Sequence, residues 1–342
     1  MIYLDSAAMH PVLPCARDAF LRAPFGNPSS EHAVGQYARD ALEQAREKIS
    51  VLIGCDPQEV YFTATATEAA AMAWSSIAKT KEFLAIVSDV EHHAVSANAD
   101  ALEFSFTKQY AVASMIANNE TGGIRNPPSI ARLWLCDATA AVGHIPISFK
   151  ELGCHYLLFD TIKFGGVPGA AALIAKKNAP ISPLIRGGGQ ERGMRSGTEN
   201  VPAICAMAAA LKWQTEHMEK NTAKLSKLQD FMKAQLNEIP KIQWNTPFHL
   251  PHLPHILNIS FDGVDAKALV LLLSKDGVMV SAGAACSNGL NEPSHVLMAM
   301  FHDEDRARSA IRISLSNENT IGECKEAAEK IKSAVAYLRS LS

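Results

Sequence analysis

Apolar and polar positions along the chain recur with two different periods, and these periods predict helices and strands. Over residues 36–53 apolar side chains recur every three or four positions and end at Gly54, which predicts an amphipathic helix. Short apolar runs separated by polar or helical stretches predict buried strands at 60–63, 83–88, 112–116, 133–136, 156–159 and 171–174. This alternation predicts an α/β fold with a mostly parallel sheet covered on both faces.

The carboxyl-terminal part has its own set of predicted elements. A helical pattern covers 202–236, and strands and helices are predicted at 257–261, 266–274, 311–315 and 321–338. Residues 1–5 are predicted to form a strand. A chain of 342 residues with 48% hydrophobic composition is long enough for two cores. We therefore expect a large domain over 13–218 and a smaller α+β domain built from 1–12 and 219–342.

Composition and charge narrow the classes of function. The net charge of −3 gives no basic excess for nucleic acid, and we expect no nucleic-acid partner. No amino-terminal signal and no apolar run of membrane-spanning length are present in the sequence, so we expect a cytoplasmic chain without a membrane. Seven cysteines without CxxC spacing argue against a disulfide framework and a zinc site. The three histidines within 247–255 are interpreted as part of a solvated loop, so no metal is expected.

Polar residues follow five of the predicted strands. They occupy 65–67, 91–93, 118–120, 137–139 and 160–163. Because ligands of open α/β sheets bind beyond the carboxyl ends of the strands, these segments are expected to converge on one site.

Four of these residues suit a covalently held aldehyde cofactor such as pyridoxal phosphate. Lys163 supplies an amine for an imine, and Asp137 supplies a carboxylate for the pyridinium nitrogen. Thr67 begins a helix, where backbone amides bind phosphate, and His92 suits stacking on the ring. Taken singly, each also has a structural interpretation, as a surface lysine, a helix cap or a structural histidine.

Cys286 lies among small residues and glycines in 281–294, where we expect a thiol that is able to move. By itself such a cysteine is more often a small buried hydrophobe than a nucleophile. Together with a cofactor lysine, a mobile thiol suggests chemistry on the sulfur of a small amino acid.

The ordered set of motifs resembles the cysteine desulfurases of iron-sulfur cluster assembly, pyridoxal-phosphate enzymes of the class V aminotransferase group. The likeness runs nearly end to end. Its motifs are Tyr3-Leu-Asp5, Asn27-Pro-Ser-Ser-Glu-His32, Ala66-Thr67-Glu68, Glu91-His92, Asn118-Asn119-Glu120-Thr-Gly122, Asp137-Ala-Thr139, Lys163, the glycine-rich segment 187–198, the Cys286 loop with Glu292-Pro-Ser294, and Ile311-Arg312-Ile-Ser314. The cysteine loop resembles that of the branch with a long flexible catalytic loop.

The resemblance implies a pyridoxal-phosphate-dependent transferase of fold type I that converts L-cysteine to L-alanine and forms a persulfide on Cys286. It implies a homodimer and a sulfur-acceptor or scaffold protein as partners, in cluster assembly or thiolation. The implied roles are cofactor attachment for Lys163, ring contacts for Asp137, His92 and Asn119, phosphate contacts for Ala66, Thr67 and (in the partner subunit's site) Thr198, and substrate carboxylate binding for Asn27 and Arg312.

Three cofactor-site positions depart from the family pattern. Asp160 replaces a serine that donates to the phosphate, Ile162 replaces a histidine, and Ala140 replaces a glutamine. A carboxylate at Asp160 is expected to repel a phosphate dianion by about 1 kcal/mol in water-like surroundings and several times more in a drier pocket. Two alternatives therefore stand beside the desulfurase: a non-catalytic desulfurase-like partner subunit, and a selenocysteine lyase or other β-eliminating enzyme.

Overall fold

The computed structural model describes residues 1–80, 83–99, 109–128, 132–283 and 292–341. The strands are β1 (Ile2–Tyr3), β2 (Val60–Thr63), β3 (Phe83–Val87), β4 (Gln109–Met115), β5 (Leu133–Asp137), β6 (Tyr156–Asp160), β7 (Ala171–Ala175), β8 (Ile242–Trp244), β9 (Ile256–Phe261), β10 (Val278–Met279), β11 (Ser281–Ala282) and β12 (Ala310–Ser314). The α-helices are α1 (Pro14–Arg22), α2 (Ala33–Ile53), α3 (Ala66–Thr80), α4 (His93–Ala99), α5 (Phe149–Leu152), α6 (Val201–Leu236), α7 (Ala266–Lys275), α8 (His295–Phe301), α9 (Glu304–Arg308) and α10 (Ile321–Ser340).

These elements form two compact units. The central unit contains Val12–Ile116 and Asn126–Glu216, and the terminal unit contains Met1–Pro11, Ala117–Arg125 and His217–Ser342. The division into a cofactor-binding domain and a domain that carries the cysteine loop remains a prediction.

The central unit is built around a six-stranded sheet with the order β2-β7-β6-β5-β4-β3. Neighbours from β3 to β6 are parallel, whereas β7 runs antiparallel to both β6 and β2. Five strands therefore point the same way, which confirms the expected α/β class with a mostly parallel sheet. Their carboxyl ends lie along one edge of the sheet.

Strands β5, β6 and β7 are buried at every position, which explains their uninterrupted apolar sequences. Helix α3 packs into the same core through Met72, Trp74 and Ile77. Helix α2 covers the predicted amphipathic segment 36–53 and begins three residues before it, and Gly54 ends the helix in the left-handed conformation, as glycine readily does. The apolar pattern thus positions the sheet edge on which the polar residues lie.

The terminal unit contains a four-stranded sheet, β11-β12-β9-β8, and the parallel pair β1-β10. Strands β9 and β12 are buried throughout, and their apolar side chains pack with those of α7 and α10. The amino-terminal segment enters this unit through β1 and through a bridge between Asp5 and Ser314. In the part of the chain that the structure describes, no helix has the length and apolar character needed to cross a bilayer.

Candidate active site

Lys163 lies at the end of a single 3₁₀ turn (Thr161–Lys163) that follows β6 directly. Two side chains hold the backbone there: the ring nitrogen Nε2 of His144 bonds to the Lys163 carbonyl at 2.9 Å, and Gln214 Nε2 donates to the Phe164 carbonyl at 3.1 Å. The side chain of Lys163 is half-buried. The two hydrogen bonds fix the backbone that carries it from two sides.

Asp137 closes β5, the neighbour of β6 in the sheet, and is buried. Its Oδ1 accepts the Thr139 N–H at 2.9 Å, so the carboxylate also stabilises the turn after the strand. Lys163 and Asp137 are both near enough to Asp160 to change the pKa of that carboxyl, the lysine lowering it and the aspartate raising it. The central unit thus brings these three ionisable residues together at the carboxyl edge of the sheet.

The amino terminus of α3 lies at the same edge. Ala66 is the first residue of the helix, and the exposed Thr67 is the second. The hydroxyl of Thr65 accepts the Glu68 N–H at 3.2 Å, and this contact caps the helix. A helix amino terminus offers unpaired amides and a positive dipole end, which suit an anion.

Asp160 contacts this helix terminus. Its Oδ2 accepts the Ala66 N–H at 3.0 Å, and its Oδ1 accepts the Ile162 N–H at 3.2 Å. The residue is only 7% exposed, and loss of solvation raises the pKa of the carboxyl in spite of both amides and Lys163. The carboxylate that the sequence places beside a phosphate therefore binds one of the helix amides itself.

His92 precedes α4 and caps it, since its Nδ1 accepts the Ala94 N–H at 3.1 Å. An Nδ1 that accepts must be unprotonated, which places the proton of the neutral ring on Nε2. The structure therefore assigns His92 a structural role in addition to the ring contact that the sequence predicts.

The glycine-rich segment 187–198 is anchored by a buried ion pair. Arg46 of α2 meets the Glu191 carboxylate through Nη1 at 3.0 Å and Nη2 at 2.7 Å, and its guanidinium lies 4.6 Å from the centre of the Phe62 ring. Thr198 at the end of this segment is exposed. Asn27 is also exposed, and its Oδ1 accepts the Ser29 N–H at 2.9 Å.

In the terminal unit, Arg312 and Asn119 lie together. The arginine projects from β12 with a side chain only 1% exposed, and its Nη1 donates to the Asn119 carbonyl at 3.0 Å. Nη2 donates to Asp5 Oδ1 at 2.8 Å. Asn118 holds the turn that carries Asn119, because its Oδ1 accepts the N–H groups of Glu120 and Thr121, both at 2.9 Å.

Sequence reasoning assigned no role to four contributors. Asp5 lies in a recognised motif, but its pairing with Arg312 joins residues far apart in the chain. His144 and Gln214 carry no local signal of their contacts with the lysine turn. Glu120 is fully buried, and burial raises the pKa of its carboxyl although Ser294, Arg312 and His295 lower it.

Cys286, the expected nucleophile, lies outside the described residues. The described residues of the site fall into two groups, each within one unit. The central unit holds Asn27, Ala66, Thr67, His92, Asp137, Lys163 and Thr198, and the terminal unit holds Asn119 and Arg312.

Comparison with known proteins identifies relatives that agree with one another. The class V aminotransferase family model matches residues 2–107 and 98–326. The cysteine desulfurase IscS of Dictyoglomus turgidum is 34% identical, with all of this chain and 96% of that protein covered. The IscS-like cysteine desulfurase of Mycobacterium tuberculosis is also 34% identical, over 99% of this chain and 97% of the relative.

Solved structures agree with this assignment of relatives. A NifS-like protein superposes with a TM-score of 0.89 at 30% identity, covering 98% of this chain and 99% of that one. SspA in complex with cysteine superposes with a TM-score of 0.78 at 25% identity, over 94% and 100% of the two chains.

Proposed function

We propose that this chain, which belongs to the class V aminotransferase family and to its cysteine desulfurases, converts L-cysteine to L-alanine and receives the sulfur as a persulfide on Cys286. The observation that carries the proposal is the grouping of Lys163 and Asp137 at the carboxyl edge of the sheet. A solvated surface lysine would not lie beside a buried carboxylate at this edge of the sheet, whereas functional sites commonly bring such ionisable groups together.

The cofactor in this proposal is pyridoxal 5′-phosphate, and the residues present fit its two ends differently. At the ring end, Lys163 is half-buried on a fixed backbone, and Asp137 is a buried carboxylate without an ion pair among the described residues. At the phosphate end, the amide of Ala66 is already bonded to Asp160. The ring end therefore suits the group, whereas the phosphate end as it stands does not.

Each residue has a proposed task in the reaction. Lys163 attaches the cofactor, Asp137 keeps its ring nitrogen protonated, and His92 and Asn119 contact the ring. When bound, the cofactor supplies an electron sink for the substrate's α-carbon. Arg312 and Asn27 bind the substrate carboxylate, and the planar guanidinium matches that group with paired donors.

Sulfur transfer requires a nucleophile in the thiolate form, and Cys286 is assigned this role. A bond forms between its Sγ and the substrate sulfur while the bond from that sulfur to the substrate β-carbon breaks. The bonding electrons remain on carbon, and a proton completes the methyl group of alanine. Cysteine and one protein thiol thus give alanine and one persulfide.

The proposal also includes the assembly, partners and location expected from the sequence. Thr198 is assigned to the phosphate end of the partner subunit's site in a homodimer, and the exposed apolar side chains of Leu21 and Phe25 support burial against a second copy. An acceptor or scaffold protein takes the persulfide sulfur, in iron-sulfur cluster assembly or thiolation. The cytoplasm is the proposed location.

The test begins with the absorbance of the purified protein after addition of pyridoxal phosphate. We expect a band near the visible edge that shifts on addition of cysteine and is absent in Lys163→Ala. Cys286→Ser should keep the band and lose persulfide and sulfide formation, whereas Cys205→Ser, which alters a half-buried thiol, should keep both.

Two results favour other functions. A protein that takes up no cofactor at any pH is a non-catalytic partner subunit, a function favoured by the Asp160 contact with Ala66. Unchanged sulfide release in Cys286→Ser indicates a lyase that does not use this thiol.

A further inference from the structure

The Asp160 carboxylate bridges two backbone segments at the place where an anion would approach α3. One oxygen accepts from the first helical amide, at Ala66, and the other accepts from the 3₁₀ turn that leads to Lys163. Since α3 is 15 residues long, its amino terminus carries a full helix dipole. The negative charge that this terminus favours is therefore already supplied from within the chain.

A second anion brought to the same terminus meets this charge. Asp160 is 7% exposed, so little water is present to screen its repulsion of a phosphate dianion. At separations of a few ångströms, repulsion of this kind weakens binding on the order of tenfold to a hundredfold. An aldehyde without the phosphate experiences no such repulsion.

Protonation changes the role of Asp160 from repulsion to attraction. A neutral carboxyl has one O–H donor and keeps an acceptor oxygen for a backbone amide. It is then able to donate to a phosphate oxygen, as the hydroxyl of a serine would. Protonation of one group thus converts the phosphate end from a poor site into a suitable one.

We propose that Asp160 makes capture of the cofactor proton-linked: the phosphorylated aldehyde binds together with a proton on Asp160, and unphosphorylated pyridoxal binds Lys163 without that requirement. This inference rests on the proposed function, because it takes Lys163 as the attachment point.

The pH dependence has a definite sign. Burial raises the pKa of Asp160, Asp137 raises it further, and the two amides and the Lys163 charge lower it. An arriving phosphate adds negative charge and raises the pKa again. Affinity for the phosphorylated cofactor is therefore greatest at acidic pH and falls as the pH rises through the pKa of this carboxyl. Affinity for pyridoxal lacks this contribution.

The test compares two ligands and three proteins. Wild type, Asp160→Asn and Asp160→Ser are titrated with pyridoxal phosphate and with pyridoxal between about pH 5.5 and pH 8.5, by absorbance and equilibrium dialysis. The ratio of the two dissociation constants at each pH cancels the ionisation of Lys163, which affects both ligands alike. Asp40→Asn, at an exposed position of α2, controls for loss of a negative charge.

At neutral pH the ratio of the two dissociation constants should shift roughly tenfold or more in favour of pyridoxal phosphate in both Asp160 variants, relative to wild type. Their ligand ratio should lose most of the pH dependence seen in wild type and in Asp40→Asn. The asparagine keeps an oxygen for one amide, and thermal unfolding of each variant checks that it is folded. If one variant does not fold, the other tests the same claim, because ionisation of the phosphate itself, with a pKa of about 6, affects all the proteins alike.

Two outcomes overturn the inference in distinguishable ways. If all proteins bind both aldehydes with the same ratio at each pH, Asp160 does not gate the phosphate, and the proposed function stands. If no protein forms an absorbing adduct with either aldehyde, the proposed function fails and this inference fails with it.

Discussion

At the scale of single residues, Arg312 shows how hydrogen bonds fix a buried positive charge in place. Its guanidinium is bonded to the Asn119 carbonyl and to Asp5, and its Nε has no hydrogen-bond partner among the described residues. A buried donor without a partner is costly, and binding sites are common places for one. The pair with Asp5 offsets part of the cost of burying the arginine charge.

Asp5→Asn is expected to lower the free energy of unfolding by about 1–3 kcal/mol, because it leaves the charge of Arg312 without its carboxylate. Chemical denaturation of the purified variant measures this loss. Asp262→Asn, at an exposed position of the same unit, should change the free energy by less than about 0.5 kcal/mol. If Asp5→Asn also changed the free energy of unfolding by less than about 0.5 kcal/mol, the pair of Asp5 and Arg312 would not stabilise the terminal unit.

The sequence allowed prediction of Arg312 and Asp160 as residues to inspect, but not of their contacts. The motif around Arg312 is local, whereas its partner Asp5 lies 307 positions earlier. For Asp160 the substitution predicted repulsion of a phosphate, yet the bond to Ala66 joins residues 94 positions apart. Contacts of this kind arise only when strands from distant parts of the chain become neighbours.

At the scale of elements, the position of Lys163 depends on a close approach between two turns. Gly143, in the turn after β5, has a φ of +82°, and a Cβ atom added there would lie 2.6 Å from the Cβ of Phe164. Gly153, before β6, has a φ of +69° and no atom within 4 Å of such a Cβ. Alanine at either position would strain the backbone. Only at Gly143 would the added Cβ atom also be crowded by a neighbouring residue.

Gly143→Ala should therefore destabilise the protein more than Gly153→Ala, by at least about 1 kcal/mol, because only the first also displaces the lysine turn. Denaturant unfolding of both variants measures the difference. Cofactor absorbance should fall in Gly143→Ala and persist in Gly153→Ala. Equal losses of stability would show that the turn adjusts without strain.

The apolar runs predicted β5, β6 and β7 well because these three strands are buried at every position, so that most of their residues must be apolar. The reversed direction of β7 carries no such signal, since a run such as Ala171–Ala175 has the same composition in either direction. The turn against Gly143 was likewise not predictable, because its need for glycine comes from Phe164.

At the scale of the whole molecule, the described cysteines share one property. Each is buried or half-buried. Burial raises the pKa of Cys15, Cys136 and Cys205, raises that of Cys55 to about 12, and raises that of Cys324 to about 11. Few thiolates are therefore present on these residues near neutral pH.

Alkylation of the native protein near neutral pH should consequently modify Cys286 first. Mass spectrometry of peptides after brief iodoacetamide treatment measures the order of modification. The fast reaction should disappear in Cys286→Ser and persist in Cys205→Ser. Fast modification of Cys15 or Cys205 in the wild type would contradict the expectation that burial suppresses their reactivity.

The pairing of β1 with β10 has a consequence for how the protein is made. Ile2 and Val278 are register partners, although about 275 residues separate them in the chain. At synthesis rates of about 5–20 residues per second, the first strand is synthesised roughly 14 to 55 s before its partner. During that interval the apolar side chains of Ile2 and Leu4 have no native surface to cover them. In a nascent chain this first strand is therefore expected to need a chaperone until its partner strand has been synthesised.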